Sequence, residues 1–381
     1  MGVQLSMFDR LPAVSEPLEQ ALRALPKIDL HAHLSGCLRV KTVQELIDQH
    51  GLEIREAARN DLPAAISFQG RARSYAASFT PWRRVLNRIM ELPGVVPRLI
   101  LELAEDFAND GVIYGELRVS PRIPLLNGEL EQFLATVSAA VTEARARFLI
   151  DLRIIFGFER QRFYQLSTTE QDDAVARILR ACERYCGSVV VGFDLWGIED
   201  RHPPRAFERL FRAIRQAGYP LTIHAGEAHS STFIREAIEV LQCNRLGHAT
   251  AITRDPRLFE LIRQRDILVE VCLTSNWITG IVEDLGSHPL RRMLTERIPV
   301  TLCTDNTLVY NTSLSRELAV ALQLELISAA AVPRLFSSAA AHVFAPDVSP
   351  DALVTVLTRA YTLQATDHLA SVASEARRLD D

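Results

Sequence analysis

The stretch Asp29-Leu30-His31-Ala32-His33-Leu34 closes a short apolar run that begins at Ile28. Side chains alternate between the two faces of an extended chain, so His31 and His33 project together from the end of a strand, whereas on a helix they diverge. That geometry suits a metal ion. Two unrelated histidines on a polar strand face give the same pattern, so the metal interpretation requires further ligands from elsewhere in the chain.

Beyond this stretch, strand-like and helix-like segments alternate almost to the end of the chain, which predicts a parallel sheet. The predicted strands are Lys27–His33, Val112–Val119, Asp151–Phe156, Ser188–Asp194, Pro220–His224, Arg245–His248, Ile267–Cys272 and Pro299–Thr304. Amphipathic helical segments between them are long enough for right-handed crossovers. The clearest are Leu130–Phe148, Asp172–Cys186, Arg205–Ala217, Ser231–Leu241 and Pro256–Arg263. The pattern predicts an α/β fold, a (β/α)8 TIM barrel.

Two regions depart from the alternation. Residues 50–94 separate the first two strands by more than one helix and contain Phe68, Tyr75, Phe79, Trp82 and Met90. We expect a helical insertion over the barrel mouth, either a substrate lid or extra core or an oligomer surface, because aromatics at helical spacing commonly pack. The segment from Ala331 to Asp381 is predicted to be a helical C-terminal extension. We treat residues 1–381 as one domain, since barrels with insertions reach this size.

The composition is that of an ordinary cytoplasmic enzyme. The chain is 48% hydrophobic and 23% charged, with a formal net charge of -5, which gives no electrostatic reason to bind nucleic acid or an anionic membrane. The sequence has no bilayer-spanning apolar run and no secretion signal, so we expect a cytoplasmic location. No Cys-x-x-Cys pair is present, so we expect reduced thiols. The cysteines are Cys37, Cys182, Cys186, Cys243, Cys272 and Cys303. No feature of the sequence sets an oligomeric state.

Polar side chains collect at the ends of the predicted strands, where barrel enzymes carry their active sites. Three neutral imidazoles and one carboxylate form a ligand set for a borderline-soft divalent ion, with zinc the first choice and iron or cobalt as substitutes. The predicted ligands are His31, His33, His224 and Asp305. Taken singly, His224 is compatible with a core histidine and Asp305 with a helix cap. With His248 at the end of the sixth predicted strand, four strand ends converge on one centre, which favours the metal site.

Two further residues near these ligands are candidates for proton transfer. Glu227 lies three residues past His224, beyond a glycine that can turn the chain back toward the mouth. A carboxyl group in a partly dry pocket has a raised pKa and can deliver a proton to a ring nitrogen. His248 is placed to act on a metal-bound water, either by taking its proton or by hydrogen-bonding it in position. Either role needs a free ring nitrogen.

These segments resemble the adenosine deaminase branch of the amidohydrolase superfamily over most of the chain. The matching segments, in order, are Pro26–Leu34, Tyr114–Pro121, His224–Glu227, Leu246–His248, Glu270–Asn276 and Thr304-Asp305. The resemblance implies one zinc ion at the four predicted ligands, protonation of a purine ring by Glu227, and assistance to the attacking water by His248. It also implies that zinc hydroxide adds to the ring carbon bearing the amine and that ammonia leaves. Gly197 matches a family glycine whose backbone N–H contacts the purine.

The implied substrate contacts include two departures from the family pattern. Ser35 stands where the family usually has an acidic residue for the ribose, and Asn306 stands where a second aspartate usually meets the imidazole edge of the purine. Ser35 is alternatively a loop cap and Asn306 a turn residue. Asp194, which we include among the substrate-facing residues, ends the fourth strand. That strand has no lysine for the carbamylated bridge of binuclear relatives, so we predict a single metal ion.

We expect a zinc-dependent hydrolase that deaminates adenosine or a close derivative to an inosine-type product and ammonia. An amide at Asn306 can donate to purine N7, and Ser35 removes a charge that would reject 5′-substituents or anionic groups. The alternatives are a deaminase of another aminopurine, of a 5′-modified adenosine or of a pterin-like ring, and an inactive binding protein of the same family. The intact ligand set argues against the inactive protein. The His-x-Glu and Pro-Cys-x-x-Cys pattern of nucleic-acid deaminases is absent from the sequence.

Overall fold

The computed structural model describes residues 11, 13–120, 128–185, 188–200, 202–228 and 230–380. In these ranges the chain forms an eight-stranded parallel barrel, as predicted, and each strand pairs with the next one in sequence. The strands are β1 (Lys27–His33), β2 (Val112–Val119), β3 (Asp151–Glu159), β4 (Val190–Trp196), β5 (Leu221–Ala225), β6 (Arg245–His248), β7 (Leu268–Val271) and β8 (Val300–Leu302). The fold is therefore a (β/α)8 TIM barrel.

The barrel closes between β8 and β1 at a residue that was predicted as a ligand. Asp305 bridges in parallel to Ala32. Its backbone N–H donates to the carbonyl of His31, and its carbonyl accepts from the N–H of His33, each at 2.7 Å. Asp305 has a left-handed backbone, with φ of 60°. Closure of the barrel thus places this carboxylate directly beside the two histidines of β1.

Helices connect the strands, and the helix predicted over Leu130–Phe148 has the same bounds in the structure. They are α1 (Glu16–Arg23), α2 (Val40–Gln49), α3 (Glu56–Asn60), α4 (Leu62–Ile66), α5 (Tyr75–Ser78), α6 (Asn87–Met90), α7 (Val95–Asn109), α8 (Leu130–Phe148), α9 (Arg160–Gln165), α10 (Thr168–Cys182), α11 (Glu208–Gln216), α12 (Ser231–Glu239), α13 (Arg257–Gln264), α14 (Leu273–Ile278), α15 (Leu290–Thr295), α16 (Leu314–Gln323), α17 (Val332–Ala341), α18 (Pro350–Ala360) and α19 (Leu363–Asp380). Helix α10 begins earlier than predicted because Ser167 and Glu170 form a capping box at its start.

The predicted insertion after β1 consists of short helices, α3 to α6, together with a π-helical segment, Trp82–Leu86. It is anchored to the mouth of the barrel by backbone hydrogen bonds from Phe68 to Val309 at 2.8 Å and from Ala72 to Ile278 at 2.7 Å. Its side chains line the cavity at the mouth, as described below. This placement favours the lid over a surface remote from the site.

The C-terminal extension is helical, as predicted, and consists of α17, α18 and α19. The Tyr361 hydroxyl donates to the carbonyl of Pro26 at 3.1 Å, which ties the extension to the start of β1. The cysteines in the described ranges are all free, whereas Cys186 and Pro121 lie outside those ranges. Among the described helices, none has both the length and the apolar character that a membrane crossing requires.

Candidate active site

A cavity of about 910 Å³ opens at the C-terminal ends of the strands, the place where barrel enzymes carry their chemistry. Its wall contains most of the predicted site residues, namely His33, Ser35, Gly197, His224, Glu227, His248, Asp305 and Asn306. The remaining two, His31 and Asp194, are fully buried behind this wall. The insertion contributes Phe79, Trp82 and Met90 to the lining of the cavity.

The four predicted metal ligands converge on one point. The Nε2 atoms of His33 and His224 are 3.3 Å apart. Asp305 Oδ1 lies 3.6 Å from His33 Nε2 and 3.9 Å from His31 Nε2. Within the described part of the chain, His31 Nε2 is buried and has no hydrogen-bond partner. A buried imidazole nitrogen without a partner, aimed at two other imidazoles and a carboxylate, fits a divalent cation with tetrahedral N and O ligands.

Burial sets the protonation of this ligand set. It lowers the pKa of His31 and His33 well below the ordinary value and also lowers the pKa of His224, which keeps the imidazoles in the neutral form that binds metals. Burial raises the pKa of Asp305 well above its ordinary value, and a divalent cation would restore the ionised carboxylate. Cys272 lies near His31 and Asp305, but burial raises its thiol pKa, so it favours the neutral thiol over the thiolate that binds metals.

Two buried carboxylates orient the histidines from behind. Glu270 Oε2 accepts from His31 Nδ1 at 2.8 Å, and Asp194 Oδ1 accepts from His224 Nδ1 at 3.1 Å. These bonds put the ring protons on Nδ1 and leave the Nε2 lone pairs free for a metal. Asp194 was predicted to face the substrate. Its side chain instead lies behind His224 and away from the cavity, a placement that supports an orienting role rather than a substrate contact.

One arginine joins both of these carboxylates. Arg118 on β2 donates from Nε to Asp194 Oδ2 at 2.8 Å, and its guanidinium also pairs with Glu270 Oε2. All three side chains are fully buried. Sequence reasoning gave no role to Arg118 or Glu270. The signal was present, since each is a charged residue inside an otherwise apolar strand segment, Leu117-Arg118-Val119 and Val269-Glu270-Val271.

The turn after β5 presents Glu227 to the cavity. Gly226 has φ of 66°, and a Cβ there would lie 2.4 Å from the Cγ1 of Ile234, so only glycine fits this turn. The Thr250 hydroxyl fixes the turn by donating to the carbonyl of Glu227 at 2.6 Å. Burial raises the pKa of Glu227, which favours the protonated form that a proton donor needs.

The insertion supplies a tyrosine to this carboxyl group. Tyr75 O–H donates to Glu227 Oε2 at 2.8 Å, while Glu227 Oε1 lies 3.9 Å from His248 Nε2. The sequence indicated Tyr75 only as one of several aromatic residues in the insertion. No local pattern links it to Glu227, because the two residues are 152 positions apart in the chain. The contact connects the lid to the predicted proton donor.

We expect Tyr75→Phe to lower kcat/KM by up to about tenfold, because a hydrogen bond to a neutral group contributes about 0.5–1.5 kcal/mol and this one fixes the carboxyl orientation. Steady-state kinetics would measure the effect. Tyr114→Phe is the matched control, since Tyr114 O–H donates to Glu116 Oε1 at 2.9 Å in an equally buried pair outside the cavity wall. Equal kcat/KM values for the two variants would show that Tyr75 has no special role.

The two residues that depart from the family pattern are both engaged by neighbours. Trp82 Nε1–H of the insertion donates to Ser35 Oγ at 3.1 Å, so this hydroxyl joins the loop after β1 to the lid. Asn306 Nδ2–H donates to Asp305 Oδ1. A Cβ at Gly36 would lie 1.8 Å from Asn306 Oδ1, so the amide packs tightly against a position that only glycine can occupy. Asn306 thus contacts the carboxylate that is predicted to bind a metal ion, and it also lines the cavity.

Comparisons of the sequence with known proteins show its family. A family model described as adenosine deaminase matches residues 26–359. An adenosine deaminase of Clostridium botulinum is 30% identical over 297 residues, which are 78% of this chain and 86% of that protein.

Two solved structures share the fold. An amidohydrolase from Burkholderia ambifaria with bound Zn has a TM-score of 0.78 at 21% identity. The match covers 96% of this chain and 96% of that one. An Arabidopsis N6-mAMP deaminase has a TM-score of 0.76 at 24% identity, with 89% of this chain and 99% of that one covered.

The fold and site are those of an α/β barrel protein with three histidines at its C-terminal end, His31, His33 and His224, that could together hold a metal ion. The chain belongs to the adenosine deaminase family. It is a hydrolytic deaminase.

Proposed function

We propose that this chain is a zinc-dependent deaminase of adenosine or a close adenosine derivative, with an inosine-type product and ammonia released. The observation that carries the proposal is the convergence of three imidazoles and the Asp305 carboxylate at the cavity that Glu227 lines, with His31 buried behind the cavity wall. Membership of the adenosine deaminase family supports an amino-bearing purine ring as the substrate.

The four ligands His31, His33, His224 and Asp305 would hold one zinc ion per chain. The bound Zn of the Burkholderia ambifaria amidohydrolase supports this choice of ion. When bound, zinc supplies a Lewis acid that makes water a nucleophile at neutral pH. Glu270 and Asp194 keep the ligand histidines in the correct tautomer, and Arg118 neutralises both carboxylates.

The remaining steps belong to the chain's own residues. Glu227 holds a proton at its carboxyl group and delivers it to a nitrogen of the ring, which makes the neighbouring carbon a better electrophile. Tyr75 holds the carboxyl group in place, and the backbone N–H of Gly197 is available to orient the ring edge. Phe79, Trp82 and Met90 of the insertion cover the mouth and exclude water, which strengthens these interactions.

A derivative extended at its 5′ end is the second candidate substrate. Ser35 carries no charge, and the same cavity is also lined by Arg83, Asn87, Gln132 and Thr136. These polar side chains provide partners for a group beyond the ribose. The fold shared with an N6-mAMP deaminase supports the inclusion of nucleotides among the tested compounds. The free cysteines and the modest net charge support a cytoplasmic enzyme whose partner is a small purine compound rather than a nucleic acid.

The test is an ammonia-release screen with the zinc-loaded protein. Adenosine, 5′-substituted adenosines, N6-methyl-AMP, adenine and a pterin would be compared by kcat/KM, with metal content measured in parallel. We expect about one zinc ion per chain and the highest kcat/KM for adenosine or a 5′-derivative. Full activity of exhaustively metal-free protein would refute the zinc-dependent reaction. Release of ammonia from none of the compounds by the loaded protein would favour the inactive binding protein.

A further inference from the structure

A chain of hydrogen bonds runs behind His248 and begins at a backbone donor. The N–H of Leu290, at the start of α15, donates to His288 Nδ1 at 3.0 Å. His288 Nε2 lies 3.2 Å from Asn276 Oδ1, and Asn276 Nδ2 lies 3.1 Å from His248 Nδ1. All three side chains are buried, so water does not offer them alternative partners.

The direction of every bond in this chain follows from its first member. A backbone N–H can only donate, so His288 Nδ1 is an acceptor and the ring proton of His288 is on Nε2. That proton is donated to Asn276, which must therefore present its carbonyl oxygen to His288. The amide nitrogen of Asn276 then faces His248 and donates to Nδ1. His248 Nδ1 is consequently an acceptor, and its ring proton is on Nε2.

The Nε2 atom of His248 points into the centre of the site. It lies 3.9 Å from Glu227 Oε1 and 4.0 Å from Asp305 Oδ2. Both distances are too long for a direct hydrogen bond and leave space for an oxygen atom between the three groups. His248 and Ala249 both have left-handed backbones, with φ of 63° and 50°. Such conformations cost about 1–3 kcal/mol each and persist at functional sites.

We infer that His248 serves as a fixed hydrogen-bond donor through Nε2–H to the oxygen that attacks the ring, and not as the base that removes a proton from it. Asn276 and His288 are the positioning residues that set this tautomer. The inference rests on the proposed function. Of the two roles that the sequence left open for His248, removing a proton from the water or hydrogen-bonding it in position, it favours the second. Burial lowers the pKa of both His248 and His288 to about 3, in agreement with two neutral rings.

A donor in this position holds the nucleophile without exchanging its own proton. Nε2 of a neutral ring that carries its proton there has no lone pair, so it cannot accept a proton from water. It can stabilise negative charge that develops on the attacking oxygen, as preorganised donors do in other hydrolytic sites. The three hydrogen bonds from Leu290 to His288, Asn276 and His248 keep this donor aligned before substrate binds, because none of them involves the substrate.

The direct test is the tautomer of His248, read by ¹⁵N NMR of zinc-loaded protein with ¹⁵N-labelled histidine. Protonated and unprotonated ring nitrogens have well-separated ¹⁵N shifts, and His248→Gln identifies the signals. We expect Nε2 of His248 to carry the proton and Nδ1 to be unprotonated. A proton on Nδ1 with a free Nε2 would overturn the inference. This result does not depend on turnover, so it is independent of whether the proposed substrate is correct.

Kinetics of Asn276→Asp provide a second test. The new carboxylate accepts a hydrogen bond from His248 Nδ1, so the ring proton of His248 moves to Nδ1. At a pH where the NMR spectra show a neutral His248 ring, the Nε2–H donor is therefore lost. We expect kcat to fall by about 10²-fold, the effect of removing one preorganised donor, with KM little changed. Asn244→Asp is the matched control, because Asn244 Oδ1 accepts from the N–H of Leu221 at 2.9 Å and a carboxylate preserves that bond. An Asn276→Asp enzyme as active as the parent at that pH would contradict the donor role of His248.

Discussion

His31→Ala is expected to abolish metal binding and turnover together. The substitution removes one of four donors and leaves the remaining ligands unable to complete a tetrahedral site. It also leaves Glu270 without the imidazole that it orients at 2.8 Å. Metal analysis after dialysis should give far less than one equivalent of zinc, and ammonia release should fall to the background level. Asp305→Ala is expected to have the same effect.

His342→Ala is the matched control for this experiment. His342 is a histidine on the outside of the barrel whose ring nitrogens lie within hydrogen-bond distance of the carbonyls of Ser338 and Asp266. Its replacement should leave zinc content and kcat unchanged. If His31→Ala retained a full equivalent of zinc and the parent turnover, the assignment of the metal centre to the end of β1 would be incorrect.

The second large effect is expected for Glu227→Gln. The amide occupies the same space and can still hydrogen-bond a ring nitrogen, but it cannot donate a proton as an acid does. General acid catalysis contributes about 10²–10⁴ in rate, so kcat should fall by that factor while the zinc content and KM change little. Single-turnover kinetics on zinc-loaded protein would separate the chemical step from substrate binding.

A buried glutamate remote from the cavity controls for the loss of charge. Glu236 on α12 pairs with Arg205 at 2.5 Å and does not line the site. Glu236→Gln should affect stability only. Parent-like turnover of Glu227→Gln would mean that another group protonates the ring, and the carboxyl group beside Tyr75 would then need a different role.

The sequence alone predicted the features that depend on local geometry. The period of two along a strand placed His31 and His33 on one face, and the alternation of strands and helices predicted the barrel. The position of catalytic groups at strand ends predicted that His224 and Asp305 join them. These inferences succeed because a parallel barrel brings all its strand ends to one face, whatever the details of packing.

Only the tertiary structure shows which side chains line the cavity and which lie behind them. The sequence analysis included Asp194 among the substrate-facing residues, whereas the packed barrel places its carboxylate behind His224. The same holds for Arg118, whose two carboxylate partners come from β4 and β7. Contacts of this kind join strands far apart in sequence, so no local pattern carries them.

The hydrogen-bond partners of Glu227 and His248 also come from residues distant in sequence. The sequence placed Glu227 and His248 near the ligands but left the role of His248 open between base and donor. In the structure, Tyr75 donates a hydrogen bond to Glu227. A chain of hydrogen bonds also joins His288 through Asn276 to His248. A hydrogen bond has a direction, and that direction is fixed by partners that meet only when the chain is folded. The sequence therefore determined which chemical groups the site contains, and the fold determined which of them donate and which accept.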